Sequence, residues 1–225
     1  MAGSNESPPS GAPTKVERYA QSPLPTRRGT FDCHVFRDAD GAEHVAMVFG
    51  QVADREAVPV RVHSECLTSE VLGSLKCDCA EQLERALDAI VAAGHGVLVY
   101  LRQEGRGIGL GNKIRAYALQ AQGADTFEAN RQLGLPDDLR SYDVAADILR
   151  ALGVRSVDLF TNNPLKVSGL ERAGMPVHSR LPSLATTTPH NAGYLRAKRE
   201  LAGHLIEPTD AGPASDVGDA GIKAG

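Results

Sequence analysis

The chain has 225 residues, of which 42% are apolar, and its formal charge is −4. This length allows one domain with a sizeable core or at most two small ones, and the acidic balance excludes the basic footprint typical of nucleic-acid-binding proteins. No apolar run reaches the roughly 20 residues that a membrane span needs. The first 30 residues contain no apolar segment of signal-peptide type. We therefore expect a cytoplasmic protein that binds neither nucleic acid nor membrane.

Both ends of the chain are polar and poor in side chains that could be buried. Residues 1–24 and 208–225 are therefore predicted to be a disordered N-terminal arm and a disordered C-terminal tail. The structured part is expected to be a single domain that covers residues 25–207.

The first predicted elements are strands. Two segments in which apolar and polar residues alternate, 30–37 and 43–50, flank the turn-forming residues 38–41, which predicts a β-hairpin. A further strand is predicted at 58–63.

From residue 78 onward, helix and strand patterns alternate. The predicted helices are 78–93, 110–122, 142–152, 164–173 and 191–204, and the predicted strands are 96–101, 154–160 and 175–180. Ser141 is expected to cap the third helix, and Pro164 begins the fourth. This order of elements predicts the α/β (α+β) class, with a mixed β-sheet flanked by helices.

Three of the four cysteines are clustered in the sequence. Cys66, Cys77 and Cys79 have the spacing expected of metal ligands in a reducing compartment, and thiolates select zinc over magnesium or calcium. Three protein ligands plus a water form a catalytic zinc site, whereas a histidine such as His63 as fourth ligand would make the site structural. Three unrelated buried cysteines are the remaining alternative. Cys33, in the first hairpin, is predicted to be a buried structural thiol.

Glu65 stands immediately before the first clustered cysteine. Zinc with three thiolates carries a formal charge of about −1, so it should lower the pKa of a bound water less than an all-histidine site does. A neighbouring proton acceptor would then be useful, as in zinc nucleobase deaminases. Glu65 is predicted either to transfer protons or to contact a bound nucleobase.

A basic, glycine-rich segment follows the predicted strand 96–101. It contains four glycines that allow close approach of a ligand to the backbone and four basic residues: Gly105, Gly107, Gly109, Gly111, Arg102, Arg106, Lys113 and Arg115. A glycine-rich turn that enters a helix is a natural anion site. The alternative is an ordinary connection with a solvated basic face.

Two later loops contain further candidates. Asp138 and Arg140 are two residues apart and could form a local ion pair of little consequence. Residues 161–167 follow a predicted strand directly, which is a common ligand-binding position in α/β sheets. Lys166 there could reach a phosphate, and simple loop and cap chemistry is the alternative.

Taken together, these segments resemble the GTP cyclohydrolase II family. The resemblance runs from LPTRRGTF to about Leu205 and is carried, in order, by RVHSECLTSE, SLKCDCAEQL, RQEGRGIGL, NKIRAYALQ, DTFEAN, GLPDDLR, TNNPLKV and YLRAKRELAGHL. So many motifs in the same order make the match highly specific. It implies a single domain that contains one zinc ion, bound by Cys66, Cys77 and Cys79.

The resemblance also implies which residues act on the substrate. GTP contacts fall on Arg61, Val62, His63, Ser64, Glu65, Gln82, Glu104, Gly105, Arg106, Thr126, Thr161 and Lys166. The implied catalytic residues are Asp138 as proton acceptor, Arg140 as the group that attacks or otherwise engages the α-phosphate, and Tyr117. Since a guanidinium stays protonated in almost any protein site, we prefer phosphate clamping as the role of Arg140.

The implied reaction hydrolyses GTP to 2,5-diamino-6-ribosylamino-4(3H)-pyrimidinone 5′-phosphate, formate and pyrophosphate, the first step of riboflavin biosynthesis. A zinc-bound water attacks C8 of the guanine, and magnesium assists release of pyrophosphate, because that ion needs only oxygen ligands and water. The resemblance further implies a homodimer. No domain for the four-carbon riboflavin precursor is found, so we expect a stand-alone enzyme.

The sequence departs from the commonest family pattern at a few positions. Ala80 replaces a glycine, TSE at 68–70 replaces TGD, Ser141 replaces an acidic residue, and RLPSLATTTPHNAGYL is looser than usual. None of these changes removes an implied catalytic residue. Two alternatives stay open: a homologue that stops at the formamidopyrimidine nucleotide without formate release, and a non-catalytic GTP-binding regulator with a structural zinc.

Overall fold

The computed structural model describes residues 15–123, 126–136, 138–183 and 186–205. The strands are β1 (Glu17–Thr26), β2 (Gly29–Arg37), β3 (Glu43–Phe49), β4 (Val58–Ser64), β5 (Gly96–Leu101), β6 (Val157–Phe160) and β7 (Val177–Leu181). The helices are α1 (Leu67–Glu70), α2 (Cys79–Ala92), α3 (Gly109–Ala121), α4 (Thr126–Gln132), α5 (Asp143–Ala151), α6 (Pro164–Arg172) and α7 (Ala192–Ala202), with a short 3₁₀ helix at Glu104–Gly107. None of these helices is long and apolar enough to cross a membrane.

The strands form one mixed sheet in the order β1-β2-β3-β5-β4-β6-β7. The pairs β1–β2, β2–β3 and β3–β5 are antiparallel. The pairs β5–β4, β4–β6 and β6–β7 are parallel. The carboxyl ends of four parallel strands therefore meet at one edge, where ligands bind in α/β sheets. The predicted α/β class, mixed sheet and first hairpin are confirmed.

Hydrophobic side chains are buried on both faces of the sheet. On one face, Val60 and Val62 of β4 belong to the main core together with Ile148 and Leu149 of α5. On the other face, α2 places Leu83, Leu87 and Ile90 against Phe31 and Leu98, which is the stripe expected of an amphipathic helix. Because side chains alternate along a strand, residues 61 and 63 of β4 lie opposite the main core.

The N-terminal boundary of the predicted domain needs a correction. Residues 17–24, assigned to the disordered arm, belong to β1, and Val16 is part of the main core. All ten side chains of β1 are exposed, so its composition gives no sign of folding. The strand is stabilised by backbone pairing with β2. Residues 1–14 and the predicted tail 208–225 lie outside the described residues.

Helix boundaries follow local capping chemistry. At the start of α6, the side chain of Asn163 accepts a hydrogen bond from the Leu165 N–H, and Pro164 occupies the first helical position. At α5 the N-cap position is Tyr142 rather than the predicted Ser141, although the Ser141 hydroxyl still accepts from the Asp143 N–H at 3.1 Å. The sequence did not predict α1, α4 or the 3₁₀ helix, which are short.

We expect Gly169→Ala to destabilise the protein, because the added methyl group would lie 2.6 Å from Cδ2 of Tyr142 and would push α6 away from α5. Overpacking of this kind costs about 1–3 kcal/mol. Gly111→Ala in α3 is the matched control, since nothing lies within 4 Å of its added methyl group, and should be neutral or stabilising by up to about 1 kcal/mol. Chemical denaturation measures both free energies of unfolding. Equal destabilisation by the two substitutions would contradict the expectation.

Candidate active site

A cavity opens at the carboxyl edge of the parallel strands and encloses about 1050 Å³, including its solvent-filled mouth. Its wall is built from β4, α2, the 3₁₀ helix, α3, the loops before α5 and α6, and α7. Most residues implied by the family resemblance line it: Arg61, His63, Ser64, Glu65, Cys66, Cys77, Cys79, Gln82, Glu104, Gly105, Arg106, Tyr117, Arg140, Thr161 and Lys166.

Three implied residues are not part of this wall. The Val62 side chain is in the main core, and its carbonyl accepts a hydrogen bond of 2.8 Å from the Lys166 ammonium. Asp138 lies behind Arg140 and binds its guanidinium. Thr126 begins α4, and its side chain lies outside the described residues.

The clustered cysteines meet at one end of this cavity. Cys66 follows β4 and precedes α1, while Cys77 and Cys79 lie at the start of α2. Their three sulfur atoms all lie within 4.8 Å of one another, which excludes three unrelated thiols. Such a group could hold a metal ion, and its soft thiolate donors fit zinc.

The described residues supply no fourth histidine, cysteine or carboxylate ligand to this group. His63, the alternative fourth ligand, is not part of it and instead places Nε2 2.7 Å from Glu70 Oε1. Among the described residues the group thus has three candidate ligands, the number that catalytic zinc sites combine with a water or substrate.

Cys33 is separate from the cluster and is only half-buried, which corrects the prediction of a buried thiol. It pairs with exposed Ser22 of the edge strand β1 and with Met47 of β3. Its partial burial raises the pKa of its thiol.

Lys113 and Glu104 hold Cys66 in place. The Lys113 ammonium donates to Cys66 Sγ at 3.1 Å and to Glu104 Oε1 at 2.8 Å. The other oxygen of Glu104 accepts from the Leu67 N–H, the residue after Cys66, at 2.7 Å. Burial opposes the charge of Lys113, but these anionic partners raise its pKa overall. Lys113 therefore remains a cation, and its positive charge offsets part of the negative charge of the Cys66 thiolate.

A second buried network starts at Asp78, which lies between Cys77 and Cys79 in the sequence. Its carboxylate accepts from the Lys198 ammonium of α7 at 2.6 Å and from the Gln82 amide. The Gln82 carbonyl in turn accepts from Arg61, which also donates to the Phe160 carbonyl at 2.9 Å. Burial alone would raise the pKa of Asp78, but Lys198 lowers it overall. These bonds connect Asp78 with helix α2, strand β4 and the C-terminal helix α7.

Basic side chains are concentrated along the wall of the cavity. Arg61, Lys166 and Lys198 are buried, and Arg106 and Arg140 line the same cavity. Burial, together with the charges of Arg61 and Arg140, lowers the pKa of Lys166 well below its usual value. Cations held this closely in a low-dielectric cavity favour a bound polyanion.

Sequence reasoning missed His204, which follows α7 and lines the cavity. Burial and the charges of Lys198 and Arg140 lower its pKa to about 3. The next residue, Leu205, donates its N–H to the Asn162 carbonyl at 2.8 Å, so the end of α7 is attached to the loop before α6. The sequence signals for this segment were the predicted helix 191–204 and the YLRAKRELAGHL motif, and neither singled out His204.

Asp138 and Arg140 form a two-point ion pair. The Asp138 carboxylate accepts from Nε of Arg140 at 2.8 Å and from its Nη2. Burial would raise the pKa of Asp138, but the bonds and charge of Arg140 lower it overall. The same carboxylate raises the pKa of Arg140 against the effect of burial. Asp138 is consequently a weak base, and Arg140 stays protonated.

This loop is positioned by the glycine-rich turn. The Leu139 N–H donates to the Arg106 carbonyl at 3.0 Å. An added methyl group at Gly107 would lie 2.9 Å from Leu139 Cβ at a φ of +89°, so the two loops contact each other through a position that requires glycine. The motif thus supports the loop that carries Arg140.

Two candidates for proton transfer lie near the cysteines. Glu65 accepts from Arg102 Nε at 2.9 Å. The Tyr117 ring lies 4.9 Å from the Lys76 ammonium and 5.9 Å from that of Lys113. Burial raises the pKa of Tyr117, so its hydroxyl is protonated at neutral pH and can donate a hydrogen bond.

Fold and site define an α/β protein with a three-cysteine group that could hold a metal ion and a cavity whose basic side chains suit a polyanion. The family model for GTP cyclohydrolase II matches residues 17–182, and the chain belongs to that family. It is 51% identical to the GTP cyclohydrolase-2 of Neisseria gonorrhoeae, over 85% of this chain and 97% of the relative. It is 48% identical to the GTP cyclohydrolase-2 of Picrophilus torridus, over 85% and 100%.

A longer relative, the riboflavin biosynthesis protein RibBA of Bacillus subtilis, is 53% identical over 86% of this chain. The chain spans 49% of the length of that protein and less than half of several related riboflavin biosynthesis proteins.

We expect Cys66→Ser to abolish stoichiometric metal binding, because a neutral hydroxyl replaces one of only three clustered thiolates. Metal content after purification and dialysis, measured by mass spectrometry, checks this. Cys33→Ser is the matched control, since Cys33 lies outside the cluster, and should bind as much zinc as the parent. Full zinc occupancy in Cys66→Ser would contradict the assignment.

We expect His204 to make the protein sensitive to mild acid. Its pKa of about 3 in the folded state is below the ordinary value of about 6.5, so between these values the unfolded chain binds more protons. The stability that this difference provides is present at neutral pH and is lost as the pH falls from about 6.5. His204→Gln should therefore reduce the drop in melting temperature between about pH 7 and pH 5.

His190→Gln, at an exposed histidine, serves as the control and should behave like the parent. His63, whose pKa is also lowered, contributes in the same direction and is unchanged in both variants. An undiminished acid sensitivity in His204→Gln would refute the role of His204.

Proposed function

We propose that the protein is a zinc-dependent GTP cyclohydrolase II. It hydrolyses GTP to 2,5-diamino-6-ribosylamino-4(3H)-pyrimidinone 5′-phosphate, formate and pyrophosphate, the first step of riboflavin biosynthesis. The observation that carries the proposal is that a three-thiolate group and a buried cationic wall share one cavity. A nucleoside triphosphate matches both ends, because its base can lie at the sulfur group and its phosphates at the cations.

The cationic wall binds the triphosphate. Arg61 and Lys166 are buried and already hold fixed hydrogen bonds, so little side-chain entropy is lost when phosphate oxygens bind. Arg140 acts as a clamp on the α-phosphate. Its guanidinium is oriented by Asp138 and stays charged, and a fixed charge of this kind stabilises the transition state of phosphoryl chemistry.

Asp138, in this proposal, is the residue that orients Arg140. Its lowered pKa makes it a poor proton acceptor near neutral pH. This differs from the proton-acceptor role that the family resemblance implies for Asp138.

The cysteine end acts on the base. Cys66, Cys77 and Cys79 would hold a zinc ion, which would supply Lewis acidity at this end of the cavity. Lys113 offsets part of the thiolate charge through its bond to Cys66. Glu65 accepts a proton during ring opening, and the Tyr117 hydroxyl donates a hydrogen bond; both side chains line the cavity.

Several parts of the proposal rest on the family resemblance. Magnesium accompanies the triphosphate and assists pyrophosphate release through oxygen ligands. Ser64, Gln82, Glu104, Gly105, Arg106, Thr126 and Thr161 contribute further contacts to GTP. The protein acts in the cytoplasm as a homodimer.

Incubation of the purified protein with GTP, zinc and magnesium tests the function. We expect one equivalent each of formate and pyrophosphate per GTP consumed, together with the pyrimidine product. GTP consumption without formate would identify a homologue that stops at the formamidopyrimidine nucleotide. Binding without consumption would identify a regulator, and either result would refute the proposed reaction.

The same assay applied to Arg140→Ala tests the clamp. Turnover should fall by about 10²–10³, the usual cost of one preorganised charge-stabilising donor, while zinc content stays unchanged. Arg199→Ala is the control, because Arg199 is an exposed arginine of α7. A trapped covalent phosphate adduct on Arg140 in the parent would show that this residue is a nucleophile instead.

A further inference from the structure

His63 is held by two residues to which the family resemblance assigns no role. It lies on β4, is buried and lines the cavity. Its Nε2 is 2.7 Å from Glu70 Oε1, and the Tyr100 hydroxyl donates to the other Glu70 oxygen at 2.6 Å. The His63 ring stacks on Tyr100, with centroids 5.7 Å apart and planes at 20°. Ring position and ring rotation are therefore both determined.

These contacts also determine the protonation of the ring. Burial, as the largest effect, lowers the pKa of His63 to about 4, so the imidazole is neutral at neutral pH. A neutral imidazole carries one proton, and a carboxylate oxygen accepts hydrogen bonds. The proton therefore lies on Nε2 and is donated to Glu70, so Nδ1 keeps a free lone pair.

His63 Nδ1 is buried and has no hydrogen-bond partner among the described residues. A buried acceptor without a partner is costly, and such groups are found where a ligand satisfies them. Arg61 Nε, two residues earlier on the same face of β4, is likewise buried without a partner. Both residues line the cavity, so its wall contains one donor and one acceptor that the described residues leave without a hydrogen bond.

We propose that Glu70 and Tyr100 are positioning residues, which hold the proton of His63 on Nε2 so that Nδ1 accepts a hydrogen bond from an N–H or O–H group of the bound nucleotide. The inference rests on the proposed function, because it takes the ligand to be GTP. The donor on the ligand belongs either to the guanine or to the ribose.

Glu70→Gln tests the inference most directly. The amide of glutamine can donate to Nε2, which moves the ring proton to Nδ1 and turns the acceptor into a second donor. We expect the ¹⁵N shifts of the His63 imidazole to report protonated Nε2 in the parent and a shift toward protonated Nδ1 in the variant. GTP affinity, measured without turnover in the absence of magnesium, should fall roughly tenfold, the effect of one lost hydrogen bond.

Tyr100→Phe keeps the Glu70–His63 contact and should weaken binding less. Glu56→Gln is the matched control, because Glu56 is exposed and pairs only with Arg155 in the described structure, and should leave both readouts unchanged. Zinc content is measured in every variant, since Glu70 lies on α1, four residues after Cys66.

A double-mutant cycle separates positioning from general support of the fold. If Glu70 acts through His63, Glu70→Gln should cause no further loss of GTP affinity in a His63→Ala background. Additive losses would overturn the inference, and so would a parent-like tautomer with parent-like affinity in Glu70→Gln.

Nucleotide analogues identify the donor group. One analogue should lack the group that donates to His63 Nδ1, whether that group is the 2-amino group, the N1 proton or a ribose hydroxyl. For that analogue, Glu70→Gln should cause no loss of affinity. A loss of affinity in Glu70→Gln that persists with every analogue would overturn the inference.

The two proposals fail in distinguishable ways. A parent protein that does not bind GTP refutes the proposed function, whereas the tautomer measurement needs no ligand. A parent that binds and hydrolyses GTP, while Glu70→Gln does so equally well, refutes only the role of Glu70.

Discussion

The buried ion pair between Lys198 and Asp78 is the interaction on which the rest of the site depends. It joins the C-terminal helix α7 to the segment that carries Cys77 and Cys79, across 120 positions of sequence. Because both groups are almost fully buried, loss of either would leave an uncompensated charge beside the thiolates, which is strongly destabilising. Through Gln82 the same carboxylate also fixes Arg61, so the cysteine group and Arg61 share one support.

The cavity separates two kinds of charge that would otherwise neutralise each other. Near the cysteines, the lysines bind anionic partners. Lys113 binds Cys66 and Glu104, and Lys198 binds Asp78. At the other end, Lys166 bonds only to a neutral carbonyl among the described residues, and its charge is opposed by neighbouring cations. A polyanion relieves that repulsion. Repulsion among these cations would therefore favour the binding of a polyanion in the cavity.

Sequence patterns predicted what depends on local spacing and missed what depends on distant contacts. The cysteine spacing and the alternating helix and strand patterns correspond to the cluster and to the sheet that the structure shows. The contact of Lys198 with Asp78 leaves no local trace, and His204 and Glu70 become notable only through their neighbours. Strand β1 was missed because its side chains are exposed and only its backbone pairing holds it.

Strand β1 also bears on how the protein avoids aggregation. It forms one edge of the sheet, and an exposed edge can recruit a strand from another chain. Pro23 and Pro25 stand at alternate positions of β1, and proline is accepted in an edge strand where its missing N–H would face away from the neighbouring strand. The outer rim of β1 therefore lacks two donors that an incoming strand would need, and the charged Glu17 and Arg18 lie at its start. The same ten residues complete the sheet on one side and discourage its growth on the other.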